Sequence, residues 1–148
     1  MMDLEDAIAL AVKAHRGQKD KYGRPYILHP LTLMLRMESD EQMTAAALHD
    51  VVEDTSVTLE DLRREGFGPK ILEAVDSLSR REGESYEDYV DRLSGNPIAV
   101  KVKLADLEHN MLLTRMPDIS EADVPRLAKY LRAWKRLKNV RAPGAAAV

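Results

Sequence analysis

The residues best equipped for chemistry lie in one short run, Leu48-His49-Asp50-Val51-Val52-Glu53-Asp54. On a helix the pairs His49/Glu53 and Asp50/Asp54 stand one turn apart and stack into a single polar strip. Ala45 to Leu48 precede the strip, and Val51 and Val52 lie within it. Several carboxylates therefore start near a buried surface, where an unpaired charge is costly. A bound cation removes that cost, and a donor set that mixes imidazole with carboxylate suits Mn, Fe or Zn, whereas an all-oxygen cage suits Ca or Mg. Taken alone, the His-Asp dipeptide is more simply a histidine packed in the core beside solvated acids. Two further segments change that balance. Leu28-His29-Pro30 sets a histidine at a loop-to-helix junction, and KLADLEHN, from Lys103 to Asn110, sets Asp106 on a mainly apolar helix with Asn110 one turn beyond. These can supply a third and a fourth ligand. The other two histidines, His15 and His109, read as structural.

His29, then His49 with Asp50, then Asp106 resembles the H…HD…D signature of the HD superfamily of metal-dependent phosphohydrolases. More narrowly, AHRGQKDKYGRPYILHP, ALHDVVEDT and VKLADLEHNM resemble, in order, three blocks of the hydrolase domain of RelA/SpoT-type proteins, including the stand-alone small alarmone hydrolases. The resemblance implies a compact helical domain with one divalent metal, usually Mn, that removes the 3′-pyrophosphate of guanosine tetra- or pentaphosphate by hydrolysis. It makes His29, His49, Asp50 and Asp106 the metal ligands. Glu53 and Asp54 become the catalytic acidic pair beside the reactive water, with either one as the base. Lys21 and Asn110 match substrate-side positions, and Tyr26 braces the loop before His29. The chain also departs from the pattern: Asp20-Lys21 replaces the usual Arg-Lys, Leu107-Glu108 the usual Arg-Leu, and Leu113 the usual Thr. These changes spare the ligand set and alter the nucleotide pocket. Asp20 is placed to accept hydrogen bonds from a base, so the pocket is expected to be less committed to guanosine tetraphosphate. Two alternatives follow: hydrolysis of another nucleotide, such as an adenosine alarmone, and a non-catalytic nucleotide-binding module.

The residue chemistry supports the hydrolytic reading on its own terms. A divalent ion acidifies water and neutralises charge on a phosphoryl group, and Glu53 or Asp54 can take the proton if it lies within hydrogen-bond reach. A polyphosphate would be repelled by Asp50, Glu53, Asp54 and Asp106 unless cations compensate. Lys13, Arg16, Lys19, Lys21 and Arg24 lie in and just before the loop that leads to His29, where they can do so.

The elements that must position these residues are helical, since helix signals recur along the chain and strand alternation is nearly absent. Asp3 is expected to cap a helix to about Arg16, and Ser39 with Gln42 to open a helix through Asp54. Thr58 with Asp61, and Ser85, start two more. A long helix should run from Ile98 to about Arg115, and Ser120 with Asp123 introduces the last one. There Val124, Leu127, Leu131 and Trp134, with Ala128 and Leu137 beside them, are expected to face the core and the basic residues largely to face solvent. The sum is an all-α fold, one compact domain of six to eight helices over residues 1–141, with a frayed tail at 142–148.

Composition narrows the function classes. The chain has 148 residues, 45% of them hydrophobic, which suits one core, and no cysteine, which excludes disulfides and thiolate chemistry. No apolar run approaches the roughly 20 residues of a membrane span. Asp3, Glu5 and Asp6 stand where a secretory signal would carry positive charge, so a cytoplasmic protein is expected. The net charge of -3 divides unevenly, with 7 of the 22 Lys and Arg and none of the 25 Asp and Glu falling after Asp123. A basic end of this kind can bind nucleic acid, but the helical spacing makes it the solvated face of an amphipathic helix. The expected partner is a nucleotide polyphosphate, with no nucleic acid and no membrane. A hydrolase without a synthetase is the expectation.

Overall fold

The computed structural model of the chain describes residues 1–140, and the tail expected at 142–148 lies outside them. Among the described residues nine α-helices follow one another: α1 (Leu4–Ala14), α2 (Leu28–Leu35), α3 (Asp40–Leu48), α4 (Val51–Asp54), α5 (Leu59–Glu65), α6 (Pro69–Leu78), α7 (Tyr86–Leu93), α8 (Pro97–Asn110) and α9 (Val124–Lys138). Short 3-10 turns cover Leu113–Arg115 and Glu121–Asp123. Among the described residues there is no β-strand, only a single bridge between Lys19 and Pro25. The fold is all-α. Counting α3 and α4 as the one helix expected there gives eight.

The caps explain where most helices begin. Asp3 and Asp6 close a reciprocal capping box on α1, and Thr58 and Asp61 close another on α5. Ser39, Ser85 and Asn96 accept the first free backbone N–H groups of α3, α7 and α8. Two expectations need correction. Helix α8 stops at Asn110 rather than near Arg115, and the chain turns through Met111 into the first 3-10 turn. The stripe on α9 is also shifted: Leu137 is buried and Trp134 packs partly against the core as expected, but Val124 and Leu131 are exposed, and Ala133 and Tyr130 turn inward in their place. Arg126 and Lys129 consequently turn away from full solvent exposure.

Helix α3 is the hub. Thr44 to Leu48 are all buried, and the three alanines let α1, α2, α6 and α8 approach its axis closely. Leu33, Leu48, Leu62, Leu78, Leu93, Leu107 and Leu137, each from a different element, fill the space around it. Burial of side chains of this size, at about 1.5 to 3 kcal/mol each, sets the mutual positions of α2, α3 and α8. Those are the helices that carry His29, His49 and Asp106.

Candidate metal centre

The helix expected across residues 43–54 is broken at its most functional point. His49 ends α3 and Asp50, with φ -104° and ψ 0°, opens α4. The His49 ring explains part of the break, because Nδ1 lies 2.7 Å from the Ala46 carbonyl oxygen and competes for it with the backbone, whose own bond there is a long 3.4 Å. Donation from Nδ1–H to that carbonyl fixes the ring orientation and turns Nε2 toward the cluster, as a lone pair whenever the imidazole is neutral. Nε2 is buried and lacks a properly aligned hydrogen-bond partner, although Asp50 Oδ2 sits 2.9 Å away and Asp106 Oδ1 3.8 Å away. A buried imidazole nitrogen facing two carboxylates without a good hydrogen bond is what a cation-binding ligand requires.

His29, at the first turn of α2, completes the group: His29, His49 and Asp50 can each offer one donor atom within 4.8 Å of the others. Asp106, from α8, approaches from below, with Oδ1 2.8 Å from His29 Nε2 and 3.0 Å from Asn110 Nδ2. Its second oxygen accepts from Lys103 Nζ at 2.8 Å. The structure thus sets Asp106 beside His29, His49 and Asp50, the three whose donor atoms stand close enough to share one ion. Their chemistry, two imidazoles and two carboxylates, fits one divalent ion.

Charge in this cluster is tightly coupled. Burial alone would raise the pKa of Asp106, but Lys103, His29 and His49 outweigh it and hold the carboxyl well below its usual range. Burial would depress His49, but Asp50 and Asp106 outweigh it and push the imidazole well above its usual value. His29 is braced from behind by His109, whose ring stacks on it at 4.9 Å with Nδ1 2.7 Å from His29 Nδ1. Burial and the neighbouring His29 lower the His109 pKa to about 4, so it is neutral and can accept from His29 Nδ1–H. That arrangement turns Nε2 of His29 toward Asp106 and the cluster.

The acidic pair stands at the edge of this cluster. Asp50, Glu53 and Asp54 each place an oxygen within 4.8 Å of the others. Burial, and after it the charge of Asp50, raises the pKa of Asp54. Glu53 is raised by burial as well, partly offset by the Arg80 backbone N–H, which donates to Oε1 at 2.9 Å. The Tyr26 hydroxyl donates to Asp50 Oδ2 and lies 3.4 Å from Asp54 Oδ2. Burial and these carboxylates push its phenol pKa up, so it remains a donor.

Above the cluster opens a cavity of about 390 Å³, lined by Lys19, Asp20, Lys21, Asn110 and the acidic pair. Lys103, Arg115, Tyr22 and Tyr130 line it too, and none of these was singled out from the sequence. Lys103 was discoverable, since it lies one turn before Asp106. Arg115 was not, because the expected continuation of α8 would have aimed it elsewhere. Of the loop cations, Lys13 faces a different groove, between α1 and α5, and Arg16 lines neither cavity beside the cluster. Asp20 does more than line the wall: Oδ1 accepts from the Tyr22 and Arg24 backbone N–H groups at 2.9 Å each, and Gly23 at φ +80° lets the turn close.

A family model described as HD domain matches residues 7–145. The chain belongs to the HD domain family. It is 34% identical over 154 residues to a GTP pyrophosphokinase of Streptomyces coelicolor, covering 95% of this chain and 16% of that protein. It is 37% identical over 117 residues to a guanosine-3′,5′-bis(diphosphate) 3′-pyrophosphohydrolase of Haemophilus influenzae, covering 69% of this chain and 17% of that one. Against the bifunctional (p)ppGpp synthase/hydrolase SpoT of Escherichia coli it is 32% identical over 123 residues, covering 73% and 17%. The chain therefore spans about a sixth of the length of these relatives. A solved structure described as a metazoan ortholog of SpoT that hydrolyzes ppGpp superposes with a TM-score of 0.77 at 22% identity, covering 94% of this chain and 87% of that one. At that identity the likeness establishes the HD fold. Among the described residues no helix is long and apolar enough to cross a membrane.

Proposed function

We propose that this HD domain is a metal-dependent nucleotide pyrophosphohydrolase that removes the 3′-pyrophosphate of guanosine tetra- or pentaphosphate. The observation that carries the reading is the juxtaposition of a buried two-histidine, two-aspartate cluster with a half-buried acidic pair, beside one cavity whose wall also carries Lys19, Lys21, Lys103 and Arg115. The relatives named for this activity share the region that the chain spans.

His29, His49, Asp50 and Asp106 hold the ion, with Mn the metal in this reading. When bound, the ion supplies Lewis acidity that acidifies water and draws charge from a phosphoryl oxygen. The residues around it do the rest. Glu53 and Asp54, with their pKa values raised, are poised to take the proton of the attacking water, since a base works best when its pKa approaches the working pH. Tyr26 stands beside both Asp50 and Asp54, its hydroxyl donating to Asp50 Oδ2 with Asp54 Oδ2 3.4 Å away. The water oxygen forms a bond to the phosphorus attached to the 3′ oxygen, that P–O bond breaks, and pyrophosphate departs while the 3′ oxygen takes up a proton. The cavity wall carries five carboxylates against Lys19, Lys21, Lys103 and Arg115. A divalent ion would tip that balance to positive, which suits a polyanion. Lys21 faces the same space, its pKa lowered by burial and by the nearby Arg126 and Arg115 cations.

The test is incubation of Mn-loaded protein with guanosine and adenosine 3′,5′-bis(diphosphates), dinucleotide phosphates and nucleoside monophosphates, with pyrophosphate and orthophosphate measured separately. Pyrophosphate from the guanosine substrate, with GDP as the other product, is expected. Turnover of only another nucleotide would move the activity to the alternative substrate. Binding without turnover of any substrate would make the domain a nucleotide sensor.

A further inference from the structure

His15 stands outside the metal cluster, yet it is as deeply buried as His49, each residue being 2% exposed. It closes α1 just before Gly17, whose φ of +83° turns the chain into the loop. Nδ1 lies 2.9 Å from Gln18 Oε1, to which it donates, while Nε2 is buried with no hydrogen-bond partner among the described residues. An unpaired buried nitrogen is costly, and an apolar side chain of similar volume would avoid that cost. What the imidazole does meet is Tyr26, with ring centres 4.9 Å apart and planes tilted by 46°. Gln18 ties the two residues together through its backbone, donating to the His15 carbonyl at 3.0 Å and accepting from the Tyr26 N–H at 2.9 Å. That bond fixes the Tyr26 backbone but leaves its side-chain torsions to whatever packs against the ring.

We infer that His15 is a positioning residue: oriented by Gln18, its ring seats Tyr26 so that the phenol hydroxyl meets Asp50 and Asp54 together. The hydroxyl donates to Asp50 Oδ2 with Asp54 Oδ2 3.4 Å away, so a tilt of the phenol ring changes the surroundings of an expected metal ligand and of an expected base at once. His15 lines neither cavity beside the cluster, so it acts through Tyr26 and not on a bound molecule. A hydrogen bond behind a ligating carboxylate fixes which oxygen faces the ion, and losing such a bond typically costs about 10- to 100-fold in metal affinity or activity. The orphaned Nε2 fits this role, because the ring is held for its shape and for Nδ1 and not for a second hydrogen bond. The inference deepens the hydrolase reading and rests on it for turnover alone, since metal affinity reports on the same chain of contacts without a substrate.

The experiment is a double-mutant cycle on Mn affinity, measured by competition with a chelator, with kcat and KM for guanosine 3′,5′-bis(diphosphate) alongside. Tyr26→Phe keeps the ring and removes the hydroxyl, and should weaken Mn binding roughly tenfold. His15→Leu keeps a buried apolar group of similar size and should weaken it in the same direction. Gln18→Leu, which keeps the imidazole and removes its acceptor, should do so to a smaller extent. In the Tyr26→Phe background neither substitution should add a further loss, since no hydroxyl remains to be aimed. kcat should follow the same pattern while KM stays unchanged. Losses that multiply in the double variants overturn the assignment, as does a loss of thermal stability in His15→Leu and Gln18→Leu with Mn affinity and kcat intact. Should His15→Leu fail to fold, the cycle between Gln18→Leu and Tyr26→Phe decides in the same way. If Mn affinity shows the coupling but no substrate is hydrolysed, the positioning role stands and the hydrolase reading falls.

Discussion

Glu53 and Asp54 differ in how they are held, and that difference has consequences for turnover. Glu53 receives a backbone N–H from Arg80, while Asp54 has only the long Tyr26 contact at 3.4 Å. Glu53→Gln and Asp54→Asn preserve shape and remove a charge, so both are expected to keep fold and metal. The one that acts as base should lose about a hundredfold to ten-thousandfold in kcat. Asp54, the less restrained oxygen and the nearer to Tyr26, is expected to show the larger loss. Steady-state kinetics with elemental analysis checks this, and wild-type rates in both variants would make the pair structural. The two acids were legible in the sequence because a polar strip interrupted an apolar helix. Their surroundings were not. The Tyr26 hydroxyl reaches Asp50 across 24 residues, and the His109 ring reaches His29 across 80, and no local spacing encodes either contact.

At the scale of elements, the caps were readable because an N-cap is a local event, fixed by one side chain and the N–H groups two or three residues on. The break between α3 and α4 was not readable, since it depends on where the His49 ring finds its acceptor. The α9 stripe differs from expectation for a related reason: Tyr130 lines the cavity beside the cluster, a contact that helical spacing does not encode. The turn between α6 and α7 shows how an element can serve the site without touching it. Arg92 grips Glu84 through Nε at 2.8 Å and NH2 at 2.9 Å, and caps the end of α6 through the Asp76 and Ser79 carbonyls. The backbone between these anchors carries the Arg80 N–H that fixes Glu53. The Arg92 hydrogen bonds lower the Glu84 pKa to about 2, from the usual 4.5. A carboxyl depressed in the folded state adds stability that is complete above its unfolded pKa and lost as pH falls through the folded one. Thermal unfolding of the wild type should therefore worsen between about pH 4.5 and 2. Glu84→Gln should flatten that part of the curve and, by loosening Glu53, lower kcat roughly tenfold at neutral pH. A curve unchanged in that window would show that the grip contributes nothing.

For the whole molecule, the site is also a joint. His29, His49 with Asp50, and Asp106 come from α2, the α3–α4 break and α8, three segments that already pack on one another. An ion held by all of them binds the folded chain and has no comparable site in the unfolded one. Folding should then be stabilised by about 2.7 kcal/mol when free metal exceeds its Kd a hundredfold. For a domain of this size that is a change in Tm of roughly 5 to 10 °C. Chelation should lower Tm by that amount in the wild type and have no effect in His49→Ala or Asp50→Ala, which should retain no stoichiometric metal. Asp106→Ala should behave differently. It removes a ligand and also leaves Lys103, whose side chain is 12% exposed, without the carboxylate 2.8 Å from its Nζ. An uncompensated buried charge costs on the order of 3 to 5 kcal/mol, so this variant should be less stable than His49→Ala even in chelator. Lys103→Met combined with Asp106→Leu should recover most of that difference while remaining metal-free, because it removes both charges together. Calorimetry of the variants with and without chelator separates the two contributions. Retained metal in His49→Ala and Asp50→Ala would remove the ligand assignment, and equal stability of Asp106→Ala and His49→Ala in chelator would remove the role given to Lys103.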